Sequence, residues 1–384
     1  MSASSEFEER PSSTREYATI TRHLQKPFGR YSVVDVFAPR FAIVALSHMA
    51  SGMLNVYVAE PDKRSEVHAH VLEVQRRALL PGVSPHGTAT TASTPMDDHN
   101  LFLSHLALIL GIERYTRCDG RPCPLDCDSD RLFERIVMHL RARSLATGVF
   151  NAPSYPGSPM WPADQTVSLL AMKLYDATRG TSLHREPMQG LLGILRARRD
   201  PQTGLFPSSL SPIAHAQVPR GCATSWSVSY LAQLDLPVAR EQYTRARTSL
   251  WQQVLGLGGF REWPRGREGG VDIDSGPVVF GIGVAATGLG LGPARIFRDA
   301  ASYTVIRRTA LVFGVPAWWT SGGYWTAPLL GEAILFDGRT SRPWFGEAAA
   351  VPPSHVPPAI APALLLLVGI AIVAASVRAV AHAL

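Results

Sequence analysis

Lysine is nearly absent from this chain of 384 residues, because only Lys26, Lys63 and Lys173 among its 37 basic residues are not arginine. The net charge is +6, and the arginines lie along helical stretches without interleaved aromatics, so we expect no nucleic-acid partner. Four cysteines without a regular spacing exclude a small secreted scaffold held by disulfides. Residues 1–30 are polar and lack the apolar stretch of a signal peptide. We predict a flexible N-terminal segment there.

A long apolar run lies near the other end of the chain. Residues 359–377 are aliphatic except for Pro362, Gly369 and Ser376, and as a helix they would span about 28 Å, close to the hydrocarbon core of a bilayer. A proline-rich linker over residues 346–358 precedes them. We predict a transmembrane helix over residues 359–380 that anchors a cytoplasmic main domain. A buried last helix of that domain is the alternative.

Between the ends, a polar or aromatic loop followed by an apolar stretch recurs six times. The segments begin near Ala38, Pro95, Met160, Arg220, Val271 and Tyr324. Amphipathic stretches with one charged face lie between them. Because helices that are apolar all round belong at the centre and amphipathic ones outside, we predict an all-α fold over residues 31–345. It is an α/α toroid, with six inner helices alternating with outer helices.

This pattern resembles the six-hairpin toroid of many glycosidases, polysaccharide lyases, sugar epimerases, class II terpene cyclases and linalool dehydratase-isomerase. The resemblance implies an active site at the end of the toroid where loops lead into the inner helices. We predict that the acids there are catalytic: Asp98, Asp164, Asp272 and Asp274. We predict that the following side chains bind substrate: His99, Trp161, Cys222, Trp226, Glu262, Trp263 and Trp325. Each Asp could instead be a helix N-cap.

The segment Val271-Asp272-Ile273-Asp274-Ser275 resembles the Asp-x-Asp-Asp motif of class II terpene cyclases, with Ser275 in place of the last Asp. That resemblance implies that Asp274 is the proton donor and Asp272 its neighbour. Paired carboxylates in a poorly hydrated pocket raise one pKa, which leaves a proton to donate near neutral pH. Glu262 is a second candidate acid or base, with Arg261 placed to hold it ionised.

Two further patterns are too weak to indicate a metal site or a cofactor, and we predict neither. Cys118, Cys123 and Cys127 share a loop, but their spacing matches no usual structural zinc site. The Gly281-Ile-Gly283 segment is similar to a dinucleotide-binding turn, but its surroundings predict helices rather than alternating strands and helices.

These features together predict a membrane-anchored toroid enzyme, a lyase or isomerase that uses carboxylate acid–base catalysis. Its substrate is a small lipophilic isoprenoid that is cyclised, or dehydrated and isomerised, after protonation. The alternative is a carbohydrate-active toroid: a glycoside hydrolase, polysaccharide lyase or sugar epimerase. A catalytically silent scaffold is the third hypothesis, and the oligomeric state is left open.

Overall fold

The computed structural model describes residues 7, 9–146, 153–210, 218–314, 323–324 and 327–346, and this part of the chain is mostly helical, as predicted. Its α-helices, in chain order, are α1 (Arg15–Gln25), α2 (Val33–Val36), α3 (Ala42–Ala59), α4 (Arg64–Ala78), α5 (Asn100–Arg117), α6 (Asp128–Ala146), α7 (Pro162–Arg179), α8 (Arg185–Ala197), α9 (Gly221–Leu234), α10 (Leu236–Ser249), α11 (Val284–Ile296), α12 (Ala300–Gly314) and α13 (Leu329–Thr340). Two short antiparallel hairpins join strands β1 (Trp251–Val254) to β2 (Leu257–Phe260) and β3 (Val278–Val279) to β4 (Ile282–Gly283).

Six of these helices form a closed ring. Helix α3 packs against α5, α5 against α7, α7 against α9, α9 against α11, α11 against α13, and α13 returns to α3. Their apolar surfaces are consistent with this position, since nearly every residue of α3 and α5 is buried. The ring therefore collects the starts of six helices that are far apart in the sequence.

The intervening helices lie outside the ring. Helix α4 packs on α3 and α5, α6 on α5 and α7, α8 on α7, α10 on α9, and α12 on α11. They bury an apolar face, as in α8, where Met188, Leu191, Leu192 and Leu195 are buried.

The partner of α13 comes from the N-terminal segment that we predicted to be flexible. That prediction is wrong for residues 15–25, because they form α1, which packs on α13 and α4. The Thr14 side chain caps the helix by accepting from the Tyr17 amide. Buried Glu16 accepts from Arg339 of α13 at 2.7 Å. The charged residues of this segment are typical of a solvated tail, but one of them, Glu16, forms the long-range ion pair that holds α1 against α13.

Contacts between α3 and α13 close the ring. Gly52 lets the helices approach, because a Cβ atom there would lie 2.4 Å from the Phe336 ring. One turn away on either side, His48 Nδ1 lies 2.8 Å from Asp337 Oδ2 and the Asn55 side-chain amide donates to Asp337 Oδ1 at 3.1 Å. Close packing and buried polar contacts together hold residues almost 300 positions apart.

The fifth ring helix begins later than predicted. Residues 271–283 form a turn and the β3–β4 hairpin, and α11 starts only at Val284. Pro293 lies inside α11. Two glycines let α11 pack closely against its neighbours. A Cβ at Gly290 would lie 2.5 Å from the Phe260 ring, and one at Gly292 would lie 2.8 Å from Ser341 Oγ. Tertiary packing here outweighs the low helix propensity of Gly and Pro.

One helix in the described part of the chain, over Pro39–Ala59, is long and apolar enough to cross a membrane. Its most apolar window is 94% buried within the fold, as befits a ring helix. The predicted anchor over residues 359–380 and most of the linker before it lie outside the described residues.

Replacing Gly52 by Ala should destabilise the fold, since the new methyl group overlaps the buried Phe336 ring. We expect a loss of about 1–3 kcal/mol in the free energy of unfolding. Gly193→Ala is the matched control, because Gly193 is exposed in α8 and its added Cβ meets nothing within 4 Å. It should be neutral or stabilising by up to about 1 kcal/mol. Equal urea midpoints for the two variants would contradict the packing described.

Candidate functional site

Side chains from the starts of four ring helices meet at one end of the ring. We call this set the mouth cluster; its members are Arg40, Tyr155, Asp164, Arg220, Asp272 and Asp274. They precede or begin α3, α7, α9 and α11. The Arg40 guanidinium lies 4.0 Å from Asp274 Oδ1 and 5.5 Å from the centre of the Tyr155 ring. The ring thus brings Asp164, Asp272 and Asp274 to a common site.

Asp164 is the most perturbed acid of the mouth cluster. It lies in the first turn of α7, is only 8% exposed, and accepts a hydrogen bond from the Ser154 hydroxyl. Burial raises the pKa of Asp164 to about 7; the Ser154 hydrogen bond opposes the shift and the negative charge of Asp274 adds to it. Asp164 is therefore a carboxylic acid with a proton to give near neutral pH.

Asp272 and Asp274 share a turn but have different surroundings. Asp272 Oδ1 accepts from the backbone N–H groups of Asp274 and Ser275 at 3.1 and 3.0 Å, and its carboxylate forms a two-pronged pair with Arg220 at 2.6 and 2.9 Å. The Arg220 hydrogen bond holds the pKa of Asp272 below its ordinary value. Burial, and then the charge of Asp272, raises the pKa of Asp274, whose side chain is still 41% exposed. Asp272 thus fixes the turn, and Asp274 faces the opening.

Arg220 also pairs with Glu262, which is fully buried, at 2.7 Å. We expected Arg261 to hold this acid, but Arg261 donates to Gln252 and to the Trp263 carbonyl. The Glu262 carboxylate accepts from the Cys222 backbone N–H at 3.3 Å and from its thiol at 3.1 Å, at the start of α9. Burial raises the pKa of the Cys222 thiol well above its ordinary value. This group therefore caps α9, and Cys222 lacks the character of a nucleophile.

The predicted aromatic residues divide between the mouth and the interior. Trp161 lies beside Tyr155, with 5.6 Å between ring centres, and both are partly exposed. Trp263 packs beneath the Arg220 guanidinium at 5.3 Å. Trp226 lies deeper, among histidines, and Trp325 lies outside the described residues.

Asp98 and His99 pair with residues outside the mouth cluster. Asp98 Oδ1 pairs with Arg143 of α6 at 2.8 Å, and His99 Nδ1 lies 3.0 Å from Asp97 Oδ2. No described contact joins Asp98 to Asp164 or Asp274, so its catalytic assignment remains a prediction that the packing does not favour.

Cys118 and Cys123 form a disulfide, and Cys127 is free. A zinc site that uses all three thiolates of this loop is therefore excluded.

Histidines and aromatics of the ring helices form a second polar layer beneath the mouth. We call this the ring-centre cluster: Ser47, His48, His105, Trp226, Tyr230 and Asp337. His48 donates from Nδ1 to Asp337, because a carboxylate only accepts. The Ser47 hydroxyl donates to the Val44 carbonyl at 2.9 Å, so His105 Nδ1 donates to Ser47 at 2.6 Å. Burial lowers the pKa of His105 well below its ordinary value, so the Nε2 atom of this ring carries no proton.

The Nε2 atoms of His48 and His105 are buried and have no hydrogen-bond partner among the described residues. The same is true of Trp226 Nε1. The Trp226 ring lies edge-on to both histidines, at 5.9 Å from His48 and 5.6 Å from His105. A cavity of about 30 Å³ beside His48 and Tyr230 has room for one or two water molecules. The ring centre is polar and narrow.

Our reading of the sequence missed the cations, Tyr155 and the ring-centre cluster apart from Trp226. One signal was present for the cluster: Ser47, His48, Ser51 and Asn55 form a polar stripe at helical spacing in an otherwise apolar stretch. Arg40 and Tyr155 carry no comparable pattern, because they lie in loops that only the ring brings together.

No protein-family model and no curated protein matches the chain. Among solved structures, a polysaccharide lyase aligns with a TM-score of 0.45 and 13% sequence identity, over 88% of this chain and 97% of that one. This likeness is loose.

Replacing Arg220 by Met should be strongly destabilising. The change leaves the buried Glu262 without its cation, which costs about 3–5 kcal/mol in the free energy of unfolding. Arg131→Met is the matched control, since Arg131 pairs with Asp128 at a surface where both side chains are mostly exposed, and it should change stability little. Chemical denaturation measures both, and similar losses would contradict the role given to Arg220.

The raised pKa of Asp164 also predicts how stability depends on pH. Its pKa is about 7 in the fold, whereas the ordinary value for an exposed Asp is 3.8. Above about pH 4 the unfolded carboxyl ionises while the folded one keeps its proton, so the stability contribution falls by up to about 1.4 kcal/mol per pH unit, levelling off above pH 7. Asp164→Asn should remove this slope.

Glu332 shares this behaviour, because burial raises its pKa to about 7. Glu332→Gln should therefore remove a separate part of the slope and leave the contribution of Asp164 in place. An Asp164→Asn protein whose stability follows pH as the wild type does would show that this carboxyl is ionised in the fold.

Proposed function

We propose that the closed ring is an α/α toroid and that the chain is a carbohydrate-active enzyme that cleaves glycosidic bonds at the mouth cluster. Asp164 acts as the general acid and Asp274 as the carboxylate that activates water or attacks the sugar. The observation that carries the proposal is the contrast between these two acids, one buried and neutral and the other open to solvent. Glycoside hydrolysis needs one carboxylic acid and one carboxylate on either side of the bond.

The surroundings of Asp164 support its role as the acid. Its pKa of about 7 suits proton donation near neutral pH, since a catalytic acid works best when its pKa is close to the working pH. The Ser154 hydroxyl orients the carboxyl group, and backbone contacts hold the Ser154 loop: the Ser154 carbonyl accepts from the Leu101 amide of α5 at 2.7 Å. A sugar oxygen that reaches Asp164 meets a donor fixed in place.

Asp274 has the complementary properties. It is reachable from solvent, and the positive charges of Arg40 and Arg220 oppose the rise in its pKa. The Asp272 turn fixes its backbone, and Arg220 fixes Asp272. Asp274 can therefore work as the ionised partner while Asp164 stays protonated, which separates the two roles by environment.

The character of the mouth favours a sugar over a lipophilic substrate. The mouth cluster combines five Asp and Arg side chains with Tyr155, whose partly exposed ring lies beside Trp161, and the exposed side chains of Val271 and Ile273 flank Asp272. A hydroxyl-rich substrate can satisfy such groups, whereas an apolar chain would leave them desolvated and unpaired. The cavity at the ring centre, of about 30 Å³, is too small for a prenyl chain.

The isoprenoid reading of the sequence remains the second candidate. A buried neutral acid also suits the protonation of an alkene, and Trp226 provides an aromatic face beneath the mouth that attracts a cation. This reading includes the membrane anchor over residues 359–380 and a cytoplasmic main domain, both of which remain predictions. A silent scaffold would require that no mouth carboxylate is free, and Asp274 does not fit that requirement.

Incubation of the full chain with a panel of neutral and acidic oligosaccharides and with prenyl alcohols and diphosphates tests the proposal. We expect new reducing ends from an oligosaccharide, and a loss of about 100-fold or more in kcat for Asp164→Asn with little change in KM. Glu241→Gln is the control, because this partly exposed acid pairs with Arg199 and Arg245 away from the mouth.

Other outcomes would overturn the assignment. Products with an unsaturated sugar ring would show that the reaction is an elimination rather than a hydrolysis. Turnover of prenyl substrates alone would show that the substrate is an isoprenoid rather than a sugar. Full activity of Asp164→Asn together with loss of activity in His48→Gln would move the chemistry to the ring centre.

A further inference from the structure

We propose that His86, Asp97 and His99 bind one divalent first-row transition-metal ion, with Zn²⁺ the best-matched ion. The site lies in the loop between α4 and α5, and the cleavage proposed at the mouth does not use it. It provides two imidazole nitrogens and one carboxylate oxygen.

The ligand atoms already converge. His86 Nε2 lies 2.9 Å and His99 Nδ1 3.0 Å from the same oxygen of Asp97, Oδ2, and all three atoms lie within 4.8 Å of one another. Zinc bonds of about 2.0–2.1 Å in a tetrahedral site place ligand atoms roughly 3.3 Å apart. The two nitrogen–oxygen distances lie a few tenths of an ångström below this separation, and the two nitrogens are at most 4.8 Å apart. The two rings are nearly perpendicular, at 86°, so they meet through edges rather than by stacking.

The backbone fixes the orientation of the carboxylate. Asp97 Oδ1 accepts from the His99 backbone N–H at 3.0 Å, which leaves Oδ2 turned toward the two imidazoles. His86 lies in a turn in which the Ser84 hydroxyl accepts from the His86 backbone N–H at 3.3 Å. Each ligand is thus oriented by its own local structure before an ion binds.

Helix α6 holds the ligand loop along its length. Three side chains, spaced four residues apart on one face, reach successive positions of the loop. Arg135 donates to the Thr94 carbonyl at 3.3 Å, His139 Nε2 lies 3.0 Å from the Asp97 carbonyl, and Arg143 pairs with Asp98 at 2.8 Å. Helix α6 therefore holds Asp97 and its neighbours in place, as contacts outside the ligand set do in metal sites.

The donor set selects the class of ion. Imidazole nitrogen favours zinc and its neighbours over Mg²⁺ and Ca²⁺, which prefer oxygen. The three side chains are 32–35% exposed, so at least one coordination position remains open to solvent. Three protein ligands with an open position are typical of reactive rather than purely structural zinc sites.

Calorimetric titration of the full chain, purified in detergent after treatment with EDTA, with ZnCl₂ tests the site. We expect one ion per chain, with affinity reduced at least about 100-fold in His99→Ala and Asp97→Asn. Asp98→Asn is the matched control, because it removes the neighbouring charge and keeps a side-chain oxygen to accept from Arg143. Failure of the wild type to bind Zn²⁺, or equal affinity in all four proteins, would overturn the proposal.

Cobalt substitution of the wild type tests the ligands without relying on a variant that folds. Co²⁺ in this site should give visible d–d bands and no sulfur-to-cobalt charge-transfer band. A sulfur band would place the ion at a free cysteine, Cys127 or Cys222, and refute the assignment. Binding is measured without any substrate, so the result is independent of whether the mouth cleaves sugars.

Discussion

The contact between α3 and α13 is the constraint on which the rest of the structure depends. His48 and Asp337, 289 residues apart, meet at 2.8 Å beside the close approach of Gly52 and Phe336. This contact turns a succession of helix pairs into a closed ring. Closure keeps bulk water out of the ring, and burial is the first cause of the raised pKa of Asp164. The chemistry proposed for the mouth therefore follows from the last helix docking on the first helix of the ring.

The three acids of the mouth show how one environment gives separate roles. Asp272 is ionised, pairs with Arg220, and accepts hydrogen bonds from the backbone of its own turn. Asp164 is buried with a hydroxyl as its partner, and Asp274 lies between these extremes. Burial and the number of cations around each carboxyl, rather than its position in a motif, set its protonation state. A motif match alone had assigned the proton to Asp274.

Much of the helical architecture could be predicted because apolar periodicity is local. The stretches beginning near Ala38, Pro95, Met160, Arg220 and Tyr324 each lead into a ring helix, at Ala42, Asn100, Pro162, Gly221 and Leu329. The fifth helix was predicted too early, since the Val271–Gly281 turn and hairpin have an apolar composition but are organised by Asp272 and glycine. Helix α1 was missed because its stability comes from a distant partner, Arg339.

The site was harder to predict than the fold. Asp164 and Asp274 could be placed at one end of the ring from their positions before helices, but their cations could not. Arg40 and Arg220 look like ordinary loop residues until the ring is closed. The same limit applies to Asp98. The sequence predicts that it lies beside Asp164, whereas in the structure it pairs with Arg143 of the outer helix α6.

Infrared difference spectroscopy of the carboxyl groups tests the central claim most directly, since protonated and ionised carboxyls absorb at different frequencies. At about pH 6 we expect the wild type to absorb as protonated carboxyl at both Asp164 and Glu332; the Asp164 component should be missing from the Asp164→Asn protein and should be lost in the wild type as the pH rises past the raised pKa of Asp164. Identical spectra for the two proteins at that pH would mean that Asp164 is ionised, and the assignment of the acid would be wrong.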